Sequence, residues 1–385
     1  MRTHDDIIVI GAGVIGLSCA YYLSREKLKV RVIERNCPGA GDSTNTGGGI
    51  RYLHGTKINV VLSKMSKSFW DNYTNSQFSK SIYVNTGHLF LTSQSRHLNS
   101  FKLQQKLLRS HGLDTEITDK NHIQQRWNNL KNTCFSYGNF CNTGGYLDHY
   151  NVIDYLLMLN KKNGVKIETN QKVEELIIDN EFVRGVKTEQ KSYLAKFIIN
   201  ATGAHANSIN ALAKVDTPFI ARKHELLIAE SNSVMTQSYP WLIDIDKQVH
   251  LRSNGKNEVL IGGFLGKDQE VSPVNYNKAS SKAWRDEVLI QAHNSFGLTK
   301  KRPKVIKSWA GLYPGTKDYH PVIENSKPGF ITVAGFSGTG LMHAPAAGKI
   351  VKNLALNIPI SEINIKKLSL CRFREKNHEK EYSGF

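Results

Sequence analysis

The chain has 385 residues, 40% of them hydrophobic, enough for a substantial core in one large domain or two medium ones. Its formal net charge of +18 comes mostly from lysines scattered along the chain, a pattern of solvated surface that calls for no nucleic-acid partner; peripheral association with an anionic membrane stays open. The five cysteines form no CxxC pair, the histidines show no spacing such as HExxH, and no apolar run is clean and long enough to span a bilayer, so a reduced, cytoplasmic protein without a metal is expected.

The first element is an apolar strand, Asp6 to Ile10, running into Gly11-Ala12-Gly13-Val14-Ile15-Gly16, and a second apolar run, Val30 to Ile33, ends at Glu34. Glycines alone mark ordinary turns. Here a strand precedes them, and Val14, Ile15, Leu17, Ala20 and Leu23 follow at helical spacing. That context makes a dinucleotide-binding fingerprint: Gly11 for the tight turn, Gly13 for close approach to a pyrophosphate, Gly16 for helix packing, and Glu34 for ribose hydroxyls. Ala12, Val14, Ile15 and Arg35 complete the expected contacts at this end. Asp5 and Asp6 stand where a secretory signal would carry basic residues, so a signal peptide is not expected.

Gly39 to Arg51 is too rich in glycine and small polar residues to be a packed element, and reads as a loop against a ligand, with Ser43, Thr44, Gly47 and Gly48 as contacts. A helix is expected over Val60–Tyr73, a strand over Gly87–Thr92 and a helix over His97–Ser110. Near Asp148 the nucleotide-domain pattern returns, with a helix over Val152–Asn163 and a strand over Val165–Glu168. A hairpin from Val173 to Thr188 turns at Asp179-Asn180-Glu181. The next strand, Phe197–Ala201, ends in Thr202-Gly203. Val173, Thr202 and Gly203 join the expected contacts, and a meander between half-sheets favours FAD over NAD.

Residues 217–300 read as strand-rich, with Phe219-Ile220, Leu226–Ala229, Val249–Arg252 and Val259–Gly262 alternating as half-buried strands do. The block Ser308 to Asp318, a buried-type strand Phe330–Ala334 and the turn Gly335-Phe-Ser-Gly338-Thr339-Gly340 follow. Helical sequence then runs to Leu356, with Pro345 expected in its first turn. The fold class is therefore α/β, a Rossmann-like FAD-binding domain interleaved with a mixed antiparallel-sheet substrate domain. Segments 1–80, 145–215 and 305–365 are assigned to the first, 81–144 and 216–304 to the second, and 366–385 to a basic tail.

In family order, the fingerprint, the Ser43 to Arg51 loop, Ala201-Thr202-Gly203, and Trp309, Gly311, Thr316, Asp318 and Pro321 followed by Gly335 to Gly340 resemble the D-amino acid oxidase superfamily of FAD-dependent amine oxidoreductases. The Gly-Ile-Arg51 loop, Lys223-His224-Glu225 and Met342-His-Ala-Pro345 resemble the branch of the sarcosine oxidase and L-proline dehydrogenase β-subunits and glycine oxidase. The resemblance implies hydride transfer from a small amino acid or N-alkyl amino acid to flavin N5, the imine then hydrolysing in water. Arg51 aligns with an arginine that binds the substrate carboxylate, a role suited to a planar guanidinium. His250 and Arg252 lie on a strand that in the family faces the flavin, and His250 is carried as the second catalytic candidate.

Gly338, Thr339, Gly340, Leu341 and Met342 are expected to face the flavin from the start of a helix, whose N–H groups suit the charge formed on reduction. Gly311 stands where monomeric sarcosine oxidases link flavin through a cysteine, and the Ser43 to Arg51 loop lacks the linking histidine of dimethylglycine dehydrogenase-like relatives, so FAD is expected to be noncovalent. Departures fall at Thr339, where relatives often have His, at His205, where an aromatic is common, and at Met342, where monomeric sarcosine oxidases place a carboxylate-binding Lys. These leave the substrate open, and with it the acceptor: oxygen, a quinone or a partner subunit. Two other readings are an amine carried on modified tRNA and a non-catalytic FAD-bearing electron-transfer or assembly subunit.

Overall fold

The strand Thr3–Ile10, apolar and buried on both faces over Ile7–Ile10, lies inside a parallel sheet, hydrogen-bonded to Ser192–Asn200 on one side and to Val30–Ile33 on the other. Val30–Ile33 continues the parallel order to Lys166–Glu168. On its far edge Ser192–Asn200 is shared, taking Phe182–Thr188 antiparallel along its first half and Phe330–Ala334 parallel along its second. Val173–Asp179 and Val322–Lys327 complete the eight strands. The computed structural model describes residues 3–74, 83–130, 133–231, 239–255, 257–265, 269–297, 303–375 and 379–381; the expected boundary after residue 80, and parts 376–378 and 382–385 of the expected tail, lie outside them.

The hairpin turns where the sequence indicates. Asn180 and Glu181 both take positive φ, 44° and 71°, as a two-residue hairpin loop demands. Helices Val14–Ser24, His149–Lys162 and Gly340–Ala355 lie together, their apolar residues in one core with Val9, Val32 and Val333. Gly348 permits the close crossing: a Cβ there would stand 2.6 Å from Ser18 O and from the Tyr22 ring. Asn160 ties helix His149–Lys162 in, donating to Leu17 O at 2.9 Å.

A second, nine-stranded sheet is antiparallel apart from the pairing of His88–Thr92 with Trp241–Asp244. Two expectations change here. Val305–Gly315 pairs along its length with Ile220–Glu230, so the chain rejoins the nucleotide sheet only after Gly315 and not at 305. Within the stretch read as strand-rich, Lys282–Phe296 is a helix. Ser281 caps it by accepting from Trp284 N, Gly297 ends it at φ 64°, and Val288, Leu289, Ala292 and Phe296 bury one face against the sheet. A small third sheet, Gly49–Ile50, Gly145–Leu147 and Tyr83–Val84, braces the glycine-rich loop.

Candidate functional site

A cleft of about 750 Å³ opens at the carboxyl ends of Thr3–Ile10, Val30–Ile33 and Ser192–Asn200, where open α/β sheets bind ligands. Its floor is main chain. Gly11 turns at φ 102°, and a Cβ there would stand 2.7 Å from Ala201 O. A Cβ on Gly16 would overlap the Gly11 carbonyl, so this glycine sets the helix against the strand. Gly13 leaves room for Ser43, whose Oγ accepts from Val14 N at 3.0 Å and brings the glycine-rich loop down onto the fingerprint. Glu34 accepts from Ala12 N at 2.8 Å and from Asn36 N at 2.9 Å, which holds its carboxylate over the turn.

Val173, with Lys172 and Glu174, lines the flank beside Thr202 and Gly203. Arg35 and His205 meet here at 2.9 Å, and burial, helped by the Arg35 charge, pushes His205 down to about 4, so the imidazole is neutral. At the other end, Gly335, Ser337 and Gly338 all have positive φ, and a Cβ on Gly338 would stand 2.5 Å from the Tyr313 ring. Helix Gly340–Ala355 starts there, with Gly340 and Leu341 on the cleft wall. Pro345 lies in the second turn, not the first. The ladder it interrupts is met from helix Lys57–Thr74, where Ser66 Oγ accepts from Ala346 N at 3.1 Å and Trp70 Nε1 donates to Met342 O at 2.9 Å.

Of the expected contacts, Gly11, Gly13, Val14, Ile15, Glu34, Arg35, Ser43, Val173, Thr202, Gly203, Gly338, Gly340 and Leu341 line the cleft; Ala12, Gly16, Thr44, Gly47, Gly48, Gly311, Thr339 and Met342 are not among its lining residues. Thr44 Oγ1 donates to Gly39 O, and Thr339 Oγ1 to Phe336 O. Gly47 takes the Trp241 ring, Gly48 lies against Leu147 O, and Gly311 faces Asn45 O, with no space for a side chain at any of the three. Asp42 and Tyr313 line the cleft and were not singled out from sequence. Asp42 accepts from Leu312 N at 2.9 Å, and burial raises its carboxyl to about 6. As the sole acid within the Gly39–Arg51 loop it carried a legible signal. Tyr313 carried none: it is placed by stacking on His224, ring centroids 3.6 Å apart.

Arg51 is buried beside Phe90, its guanidinium carbon 5.6 Å from the ring centre, and burial lowers its pKa against the opposing influence of Glu381 and Tyr313. His250 Nδ1 accepts from Trp241 Nε1 at 3.2 Å, and burial with the Arg252 and Arg51 charges pushes it down to about 3. It is neutral, with its proton on Nε2. Arg252 instead clasps the glycine-rich loop, donating to Gly47 O at 3.1 Å with its guanidinium carbon 4.2 Å from the Tyr146 ring centre. Glu381 and Arg372 are docked as well. Glu381 is buried, accepting from Gly55 N, Thr56 N, Thr56 Oγ1 and Asn59 Nδ2 at the start of helix Lys57–Thr74. Arg372 is buried in an ion pair with Asp318, 2.7 Å from Nε. Burial would raise Asp318; hydrogen bonds from His320, Arg372 and Thr316 overcome it and hold the carboxyl well below the usual carboxylate range.

Residues 6–354 match the family described as DAO, FAD dependent oxidoreductase. The chain belongs to this family. Among curated DAO-family relatives, monomeric sarcosine oxidase of Bacillus sp. (strain B-0618) is 22% identical, covering 92% of this chain and 93% of its own. Glycerol 3-phosphate oxidase of Mycoplasma genitalium is 25% identical over 93% of this chain and 96% of its own. Among solved structures, L-proline dehydrogenase from P. horikoshii superposes with a TM-score of 0.88 at 26% identity, covering 97% of this chain and 99% of its own. Glycine oxidase from Geobacillus kaustophilus has a TM-score of 0.83 at 17% identity, covering 96% and 99%.

The DAO-family cofactor, FAD, fits the residues present. The side-chain-free approach at Gly11 and Gly13 suits a pyrophosphate, Glu34 suits ribose hydroxyls, and the N–H groups opening helix Gly340–Ala355 suit the flavin's electron-rich edge. Among the described residues no group of three His, Cys, Asp or Glu side chains is set to hold a metal, and no helix is long and apolar enough to cross a membrane.

Proposed function

We propose that this DAO-family oxidoreductase oxidises a small amino acid or N-alkyl amino acid, of the sarcosine, glycine or proline kind, at its carbon–nitrogen bond. The observation that carries the reading is the buried Arg51 guanidinium against Phe90, within electrostatic reach of Tyr313, which lines the cleft. Bound FAD supplies the hydride acceptor. Arg51 binds the substrate carboxylate and so aims the α-carbon. Aromatic and neutral imidazole side chains, Phe90, Tyr313, His224 and His250, exclude water around it. Gly340 and Leu341 present helix N–H groups to the charge that accumulates, and the product imine leaves to hydrolyse in water. Electrons pass on to oxygen, a quinone or a partner subunit.

The reading includes a noncovalent cofactor. Gly311 has no nucleophile, and His54, the nearest histidine to the loop, is fully buried with its Nε2 against Arg51 O and Ser63 Oγ. Acid precipitation should release all the yellow colour into the supernatant. The decisive experiment is anaerobic: the holoprotein is mixed with sarcosine, glycine, proline, other amino acids and glycerol 3-phosphate, and the flavin band is followed. Bleaching by one amino acid or N-alkyl amino acid is expected. Bleaching by glycerol 3-phosphate alone, or by nothing in the panel, would sink the reading.

A further inference from the structure

The main-chain carbonyl of Arg51 sits at a junction of three buried polar side chains. His54 Nε2 lies 3.1 Å from it, Ser63 Oγ donates to it at 3.2 Å, and Ser63 Oγ lies 2.9 Å from the Nε2 of both His54 and His343. His54 and His343 are 0% exposed and Ser63 is 3% exposed. Arg51 O can only accept, so His54 Nε2–H and Ser63 O–H point toward it, and His343 Nε2–H donates to Ser63. Neither histidine has a partner at Nδ1, as suits a lone pair there and not a buried N–H. Both rings are thus neutral, in keeping with burial, which pushes His54 down to about 3 and His343 well below its ordinary value.

This junction is one end of a longer seam. Ser63, Ser66 and Trp70 fall at helical spacing on Lys57–Thr74, and each bonds to helix Gly340–Ala355, at His343 Nε2, Ala346 N and Met342 O. Sealed polar groups of this kind add little net stability compared with apolar groups of the same shape, and their effect is to fix a geometry. What they fix is the backbone of Arg51 relative to the helix whose first turn lines the cleft.

We propose that Ser63 and His343 are positioning residues for Arg51, locking the carboxylate grip and the flavin-facing helix into one frame so that the guanidinium is held where the substrate carboxylate docks. The proposal rests on the reading of Arg51 as that grip. Because the rings act as neutral hydrogen-bond donors, their effect is on aim and not on charge.

The test uses the holoprotein carrying Ser63→Ala or His343→Leu, with acetate titrated against the flavin absorption as a probe of carboxylate binding, and steady-state kinetics on the amino acid found active. Acetate Kd and substrate KM are each expected to rise about tenfold, the equivalent of about one good hydrogen bond, with kcat within about twofold. Flavin content and melting temperature should stay near those of the parent. His343→Gln, which keeps an N–H donor near the Nε2 position, should restore both constants, and Ser63→Cys, nearly isosteric with a weaker donor, serves where the alanine form fails to fold. Added to Arg51→Met, Ser63→Ala should change nothing further. Unchanged Kd and KM in variants whose Arg51→Met counterpart binds acetate poorly would overturn the positioning role, as would parallel losses of flavin and kcat that His343→Gln does not rescue. Normal acetate binding in Arg51→Met would instead remove the reading of Arg51 itself.

Discussion

At the Gly11–Gly16 end the cleft is walled by main chain, and the few side chains that matter, Glu34 and Ser43, bond back to it at Ala12 N and Val14 N. At the Arg51 end, set behind the cleft lining, the surroundings are side chains from segments far apart in sequence: Phe90 beside Arg51, Trp241 against His250, and Tyr313, which of these alone lines the cleft, with Ser63 and His343 bonded to one another behind them. A site made of backbone needs particular residues at particular spacings, because only glycine allows the approach. A site made of side chains needs only that the fold bring suitable groups together, and many sequences meet that.

The contrast can be broken from either side. The largest effect on bound cofactor is expected from Gly16→Val, whose side chain must overlap the Gly11 carbonyl; overpacking of this kind costs about 1–3 kcal/mol or more, and here it also displaces the pyrophosphate turn. Recovered protein should carry less than about a tenth of the parent's flavin, read from absorbance per chain.

Acidification acts on the other side. His54, His88, His224, His250 and His343 are all held below their ordinary value, chiefly by burial. Their folded values lie below the unfolded one of about 6.5, so the unfolded chain binds protons that the folded chain refuses. Their stabilisation is complete above pH ~6.5 and lost as pH falls, by about 1.4 kcal/mol per pH unit for each histidine. Melting temperature should drop steeply between about pH 6.5 and 5; a flat profile there would mean that these rings are solvated.

Arg51→Met comes next. Removing a desolvated charge pair costs on the order of 2–5 kcal/mol, so KM on the active amino acid should rise tens-fold or more while bound flavin stays constant. Glu34→Ala should do the reverse, weakening FAD retention about tenfold in dilution or dialysis, with the kinetics of the protein that keeps its cofactor nearly unchanged. If the two substitutions produced the same pattern, the two ends would not be separable.

Legibility in the sequence follows the same division. The fingerprint, Glu34, the Asp179–Glu181 hairpin and the turn at Gly335–Gly340 could be read because each is a local demand on φ or on space. The glycine-rich loop was legible as a loop but only partly in its contacts: Ser43 faces the cleft, while Gly47 and Gly48 are glycines because Trp241 and Leu147 press on them from behind. Helix Lys282–Phe296 was lost among strands, since Arg285, Asp286 and Glu287 separate Trp284 from the apolar run that starts at Val288. Val305–Gly315 went unread as a strand because Trp309, Gly311, Pro314 and Gly315 give it no clean alternation. Tyr313 and the Ser63–His343 seam were beyond reach because stacking on His224 and bonding across 280 positions leave no local trace.

The cap that Glu381 places on helix Lys57–Thr74 joins residues 325 and 326 positions apart. At ribosomal speeds of about 5–20 residues per second, the fingerprint emerges on the order of twenty to seventy seconds before that carboxylate is made. Throughout that interval Gly55 N, Thr56 N, Thr56 Oγ1 and Asn59 Nδ2 lack their native acceptor, just past the residue assigned to grip substrate. The nucleotide sheet itself waits for Val322–Lys327 and Phe330–Ala334, and the cleft wall for helix Gly340–Ala355, so a chain interrupted between Ala355 and Glu381 holds all of these and still lacks the acceptor that caps the helix behind Arg51.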